Sequence, residues 1–391
     1  MEERVMVAET LRSSADAPAV LAEWETGDGQ ALGVITLNVP KTLNSLTLEM
    51  IRLMDPCLRT WAEDSRIVGI YLRGSGERAF CAGGDIQALF RAMVKNHEAG
   101  KQVDDHAVTF FEEEYRLDHL LHTYPKPVLC FGNGVVMGGG LGLLSASSHP
   151  VVTETSRVAM PEITIGLFPD AGGTSLLTHM PGSMGLFLGL TGAQINGTDA
   201  LEVGLGRHLL AADRQAQLEA ALLSAAWAGD AHADGAMLDA LLAELDEQSR
   251  SNRPDARVAP NRAAIDAALD GKLGDYPAVI AGVRSLAGSN DWVDKGLATL
   301  ERGCPVTAGI VVEQLARAQT MKLADMFRME LVIGTHCARN PDFAEGVRAL
   351  LIDKDQAPKW SVASLDALPR EQVLAHFEPP WAEHPLADLQ D

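Results

Sequence analysis

The sequence predicts an α/β core over residues 18–210 and an extended α-helical region over residues 211–391. Three observations carry that reading. Up to Leu210, short apolar β-branched runs alternate with helical patterns, which suggests parallel strand pairing. Two of those runs are ended by glycine, as befits buried strands. Beyond residue 210 the composition shifts to Ala, Leu, Glu and Asp and favours helices.

In chain order, residues 1–17 read as an N-terminal tail. The first twenty residues hold three glutamates, one aspartate and two arginines, with no apolar core of signal-peptide length, so a secretory or mitochondrial address is not expected. GVITLN (33–38) reads as a strand, and after Leu46 a helix is expected with Met50, Leu53, Met54, Cys57, Leu58 and Trp61 on one stripe. RIVGIYLRG (66–74) and PVLCFG (127–132) read as buried strands. The polar, proline-bearing EQSRSNRPDARVAPN (247–261) reads as a surface linker between helices.

Composition bounds the function. The 391 residues, 47% of them hydrophobic, suffice for one large core or two smaller ones. A net charge of −21 with no clustered Lys and Arg argues against nucleic acid and anionic lipid as partners. No stretch approaches the roughly eighteen uninterrupted apolar residues of a membrane span. Cys57, Cys81, Cys130, Cys304 and Cys337 lie far apart without a C-x-x-C pair, so neither zinc nor a disulfide framework is indicated and a cytoplasmic location is expected. The eleven histidines show no H-E-x-x-H or H-x-x-x-H spacing, which leaves metal-dependent hydrolysis without support; His149 and His179 read as structural or exposed.

Three glycine-rich turns carry the chemical signal: AFCAGGDIQALF (79–90), GNGVVMGGGLGLLSA (132–146) and MPEITIGLFPDAGG (160–173). In the first two, an apolar strand runs into glycines and then into a helical pattern, which leaves free backbone N–H groups at a helix N-terminus. Such groups can face an anion. A phosphate site would call for a Walker lysine-serine pair or a G-x-G-x-x-G spacing, and neither is present in the right context. The other anion such a site can hold is an oxyanion formed during acyl chemistry, met by two N–H groups from separate loops.

FCAGGDI (80–86), MGGG (137–140) and MPE (160–162) together resemble the crotonase (enoyl-CoA hydratase/isomerase) superfamily, over roughly residues 20 to 210 with a further piece near the C-terminus. Within it, FFEEEY (110–115), GLFPDAGG (166–173) and EGVRALLIDKDQAPKW (345–360) resemble the 3-hydroxyisobutyryl-CoA hydrolases, which cleave a thioester in valine breakdown. The resemblance implies a ββα spiral core and two peptide N–H groups, those of Gly84 and Gly139, that polarise an acyl-CoA carbonyl. It implies that Ala82 lies along the CoA adenine, that Glu162 is the essential glutamate, that Asp170 is an acid typical of the hydrolases and that Glu114 contacts substrate. Hydratases of this superfamily carry a second glutamate three residues past the oxyanion glycine. Here that position is Gly142, which disfavours water addition to a double bond.

The residues support the same chemistry on their own terms. A thioester's tetrahedral intermediate carries a full negative charge on one oxygen, and preorganised N–H donors lower that barrier. A carboxylate opposite can attack the carbonyl or deprotonate a water. Asp170 could hold that water, bind a substrate hydroxyl or help protonate the leaving thiolate. Against these stand simpler readings: Glu162 as a cap, Asp170 as a Pro-Asp turn residue, Glu114 as part of a solvated acidic face, and Cys81 as a small buried residue. The last is adopted.

Coenzyme A is polyanionic, so a chain at −21 needs local cations near its phosphates. Lys41, Lys354 and Lys359 are the candidates. The expected function is thioester hydrolysis of 3-hydroxyisobutyryl-CoA without a metal or redox cofactor, CoA being part of the substrate. The alternatives are a hydratase or isomerase on the same fold and a non-catalytic acyl-CoA-binding protein. The resemblance also admits a homo-oligomer, because the C-terminal element of this superfamily sometimes covers a neighbouring subunit's site.

Overall fold

The structure, a computed structural model, describes residues 9–391; residues 1–8 of the expected tail lie outside the described residues. Eleven strands occur among them: β1 (Glu9–Leu11), β2 (Ala19–Glu25), β3 (Ala31–Leu37), β4 (Ile67–Gly74), β5 (Ala79–Cys81), β6 (Val128–Gly132), β7 (Val135–Met137), β8 (His149–Thr153), β9 (Arg157–Ala159), β10 (Ile195–Asn196) and β11 (His208–Leu210). They form two sheets. The long one runs β1-β2-β3-β4-β6-β8-β11 and the short one β10-β9-β7-β5.

From β4 onward the chain lays one strand in the long sheet and the next in the short one: β4 then β5, β6 then β7, β8 then β9. Neighbours within these runs are parallel, for example Leu72 opposite Cys130 and Val136 opposite Val158. Helices fill the crossovers that parallel pairing requires. The first is α1 (Leu48–Glu63), whose Met50, Met54, Leu58 and Trp61 are buried as the stripe predicts, with Leu53 and Cys57 half-buried at its edge. Next come α2 (Ile86–Ala99), α3 (His106–His122), α4 (Gly139–Ala146) and α5 (Gly173–His179). This is the ββα spiral, followed by an extended helical C-terminal region.

Strand periodicity decides what each sheet face meets. Leu32, Val34, Leu129 and Phe131 point to one side of the long sheet, where Leu218, Leu222, Leu238, Leu242 and Leu245 from the helices Gln215–Ser224 and Ala231–Ser249 cover them. Ala31, Ile35, Val128 and Cys130 point the other way, into a core that runs from Ala19 to Leu386 and includes Phe327, Phe343 and Val373 of the C-terminal helices.

Two expectations change. Residues 9–11 of the expected tail form β1, which pairs antiparallel with β2. The linker expected over 247–261 is shorter, because one helix continues to Ser249 and the next begins at Val258. The cause is non-local: buried Asp199 accepts from the N–H groups of Arg257 (2.6 Å) and Val258 (2.8 Å) and so starts that helix.

Candidate active site

The short sheet builds the site. Because β5, β7 and β9 are parallel neighbours, their C-terminal ends emerge at one edge, and each is followed by one of the three motif loops. The first loop turns through Gly83 (φ +101°) into Gly84 and α2, whose Asp85 side chain accepts from Ala88 N–H. The second turns through Gly138 (φ +48°) into Gly139, the first residue of α4. These glycines permit close contact. A β-carbon at Gly83 would lie 3.8 Å from Gly139 N, and one at Gly138 would lie 3.4 Å from Gly83 Cα and 3.2 Å from Glu162 Oε1. The two turns therefore abut, with the Glu162 carboxyl beside them. The Gly84 and Gly139 N–H groups donate to no other group among the described residues.

A cavity of about 280 Å³ opens at this junction. Ala82, Gly84, Glu114, Gly139, Glu162 and Asp170 all line it, so six of the nine candidate site residues of the sequence come together. Phe110, Phe111, Leu89, Leu167, Leu350 and Leu351 supply its apolar wall. Lys41, Lys354 and Lys359 do not line it; all three are exposed, as an ammonium group left in water should be. Lys41 belongs to the turn Pro40–Thr42, and the next residue, Leu43, accepts from Ala82 N–H at 3.0 Å. A larger hollow of about 530 Å³ near Leu177, Asp266 and Gln319 contains none of the motif residues.

Glu162 opens a short 3-10 turn after β9; it is 4% exposed and its Oε2 has no partner. Burial, and after it the Asp170 charge, holds its carboxyl well above the ordinary range. Asp170 accepts from Tyr115 Oη at 2.8 Å, and burial pushes it up to about 7 against that hydrogen bond. The acidic face of α3 divides: Glu112 and Glu113 are half-buried and pair with Arg116 and Arg52, while Glu114 is buried with Oε1 unpartnered. Burial first, then the surrounding carboxyl groups, raises Glu114 well above its usual value. Cys81 keeps its thiol proton, burial pushing it up to about 12. His149 is buried against Ser148 and the Gly235 carbonyl, and His179 is exposed.

Sequence reasoning missed two further acids. Asp118, one helical turn beyond Glu114, is fully buried with neither oxygen partnered. Glu330, on the helix Leu323–Arg339, is fully buried and accepts from Gly172 N–H (2.9 Å) and Thr174 N–H (2.8 Å). Both left a signal: Asp118 shares a helix face with Glu114 at i,i+4, and Glu330 interrupts the apolar run Met329–Ile333.

The family described as Enoyl-CoA hydratase/isomerase matches residues 32–377. The chain belongs to the enoyl-CoA hydratase/isomerase family. Its relatives include the mitochondrial 3-hydroxyisobutyryl-CoA hydrolases of Danio rerio, 37% identical with 87% of this chain and 85% of that one covered, and of Homo sapiens, 35% identical over 88% and 86%. Among solved structures, a carnitinyl-CoA dehydratase from Mycobacterium thermoresistibile is 32% identical, covers 95% of this chain and 98% of its own, and superposes with a TM-score of 0.79. An enoyl-CoA hydratase from Rhodobacter sphaeroides is 29% identical over 93% and 98%, with a TM-score of 0.76. One expectation falls here: these hydrolase relatives are mitochondrial proteins, which overturns the cytoplasmic location read from composition and cysteine usage.

Proposed function

We propose that the protein hydrolyses acyl-CoA thioesters, with 3-hydroxyisobutyryl-CoA as its substrate and Glu162 as the attacking group. One observation carries the chemistry: a buried carboxyl with a free oxygen shares a cavity with two uncommitted N–H groups on converging loops. In this reading the thioester carbonyl oxygen lies between the Gly84 and Gly139 N–H groups. Ionised Glu162 adds to the carbonyl carbon, the N–H pair holds the oxyanion, and collapse breaks the C–S bond to leave an acyl-glutamyl anhydride. The thiolate takes a proton from Asp170, which holds one near neutral pH. Water then cleaves the anhydride and restores both carboxyl groups.

The free Glu114 Oε1 beside Gly139 would accept from the hydroxyl of a 3-hydroxyacyl group, and the apolar wall suits its short branched chain. Lys41, next to the Ala82 turn, and Lys354 would meet the CoA phosphates outside the cavity. The hydratase alternative meets a geometric obstacle: a β-carbon at Gly142 would lie 2.6 Å from the Ala171 carbonyl oxygen, so no carboxylate can project from that position.

Thiol release from 3-hydroxyisobutyryl-CoA, measured beside loss of enoyl absorbance from crotonyl-CoA, tests the reading. Hydrolysis should dominate, and Glu162→Gln should abolish most of it while CoA-ester binding persists. Faster hydration than hydrolysis would favour the alternative. Borohydride quenching during turnover should reduce Glu162 to the alcohol; an untouched Glu162, with thiol released no faster than acid forms, would make it a general base.

A further inference from the structure

The segment Pro169–Thr174, which carries Asp170, is held in an unfavourable shape. Ala171 has φ +52° and Gly172 has φ +81°, and alanine gains nothing from the left-handed region that would explain its being there. The turn's own hydrogen bond, Gly173 N–H to the Asp170 carbonyl at 2.8 Å, cannot fix it in space. Two side chains from the far C-terminal helices do. Glu330 spans the turn with one oxygen on Gly172 N–H and the other on Thr174 N–H, so its carboxylate caps α5 from outside the helix. Gln314, on the helix Pro305–Ala318, donates its amide to the Pro169 carbonyl (2.9 Å) and to Thr174 Oγ1. All these groups are buried, and a side chain that displaced them would leave polar atoms stranded.

We propose that Glu330 is the positioning residue for Asp170, clamping the 169–174 turn with help from Gln314 so that the Asp170 carboxyl stays against Tyr115 Oη and faces Glu162. The inference rests on the reading of Asp170 as a participant in the reaction. It makes part of the site's geometry a product of residues more than 140 positions downstream of it.

A double-mutant cycle tests it, with wild type, Asp170→Asn, Glu330→Gln and the double variant assayed for thiol release. Glutamine keeps the length of Glu330 but presents an amide that can accept only one of the two N–H groups. Glu330→Gln alone should lower kcat about 100-fold, the scale set by a misplacement of about 1 Å, with KM nearly unchanged. In the Asp170→Asn background the same change should cost almost nothing, because the group it positions is already disabled. An additive loss, or a Glu330→Gln enzyme with wild-type kcat, overturns the clamp. Wild-type turnover by Asp170→Asn overturns instead the role of Asp170, and the clamp with it. If Glu330→Gln does not fold, Gln314→Met, which removes both amide donations at similar length, is read through the same cycle.

Discussion

At the residue scale, the buried carboxyl groups divide their work through their surroundings. Glu162 must be ionised to attack, yet burial and the Asp170 charge oppose its ionisation. The acid limb of kcat/KM is therefore expected above the ordinary carboxylate range, with activity already falling before the pH reaches that range. Asp170→Asn removes the proton donor, so the alkaline fall of the profile, set by loss of the Asp170 proton near 7, should disappear even as kcat falls. A pH–rate profile of both enzymes checks this; an alkaline limb that survives in Asp170→Asn would mean that another group protonates the thiolate. Glu114 has a different task. Glu114→Ala should raise KM for 3-hydroxyisobutyryl-CoA by up to about tenfold, the upper end of what one uncharged hydrogen bond is worth, while sparing isobutyryl-CoA, which lacks the hydroxyl. Equal loss on both esters would return Glu114 to a packing role.

At the element scale, the close packing of α4 on the Asp170 turn limits what the loops tolerate. Gly142→Glu supplies the carboxylate that hydratases have, but its β-carbon meets the Ala171 carbonyl. It should therefore gain no hydration of crotonyl-CoA, lose hydrolysis and melt at lower temperature. Hydration appearing in that variant would contradict the packing. The same elements show what the sequence could reveal. The strands read at 33–38, 66–74 and 127–132 are found at 31–37, 67–74 and 128–132, because runs of buried β-branched residues need no distant partner to be recognised. The glycine loops were legible for a similar reason, each being a local strand-turn-helix. Of the strands behind them, β5 and β7 were legible as the apolar runs entering the first two loops, but β9, three residues long, was not. Nor were Glu330 and Gln314, whose partners lie 140 or more positions away, or Leu350 and Leu351, in a motif whose lysines drew attention but whose leucines reach the cavity.

At the scale of the whole molecule, the interior acids make stability depend on pH. Asp170 and Glu330 ionise near 7 in the folded chain and near 4 in the unfolded one, so between these values the folded state binds more protons and stability falls as pH rises. Half-buried His122, pushed down to about 4, works in the opposite direction, as do His119, His149, His208, His376 and His384, which burial also lowers, until their unfolded forms lose the proton about one pH unit above 6.5. Above about pH 7.5 the histidines no longer oppose the carboxyl groups, and the melting temperature should decline from there upward, less steeply in Asp170→Asn. A flat or rising curve would mean that these acids are not buried as described. The continuous core from Ala19 to Leu386 has a consequence for how the protein is made. When residue 210 leaves the ribosome, the spiral is complete but Val306, Phe327, Phe343 and Val373, which share its core, have not been translated. At about 5–20 residues per second the nascent spiral waits roughly ten to forty seconds with that surface bare. Stalled chains ending at 210 should accordingly be digested by protease and captured by chaperones, and protection should arrive only when the last helices have emerged.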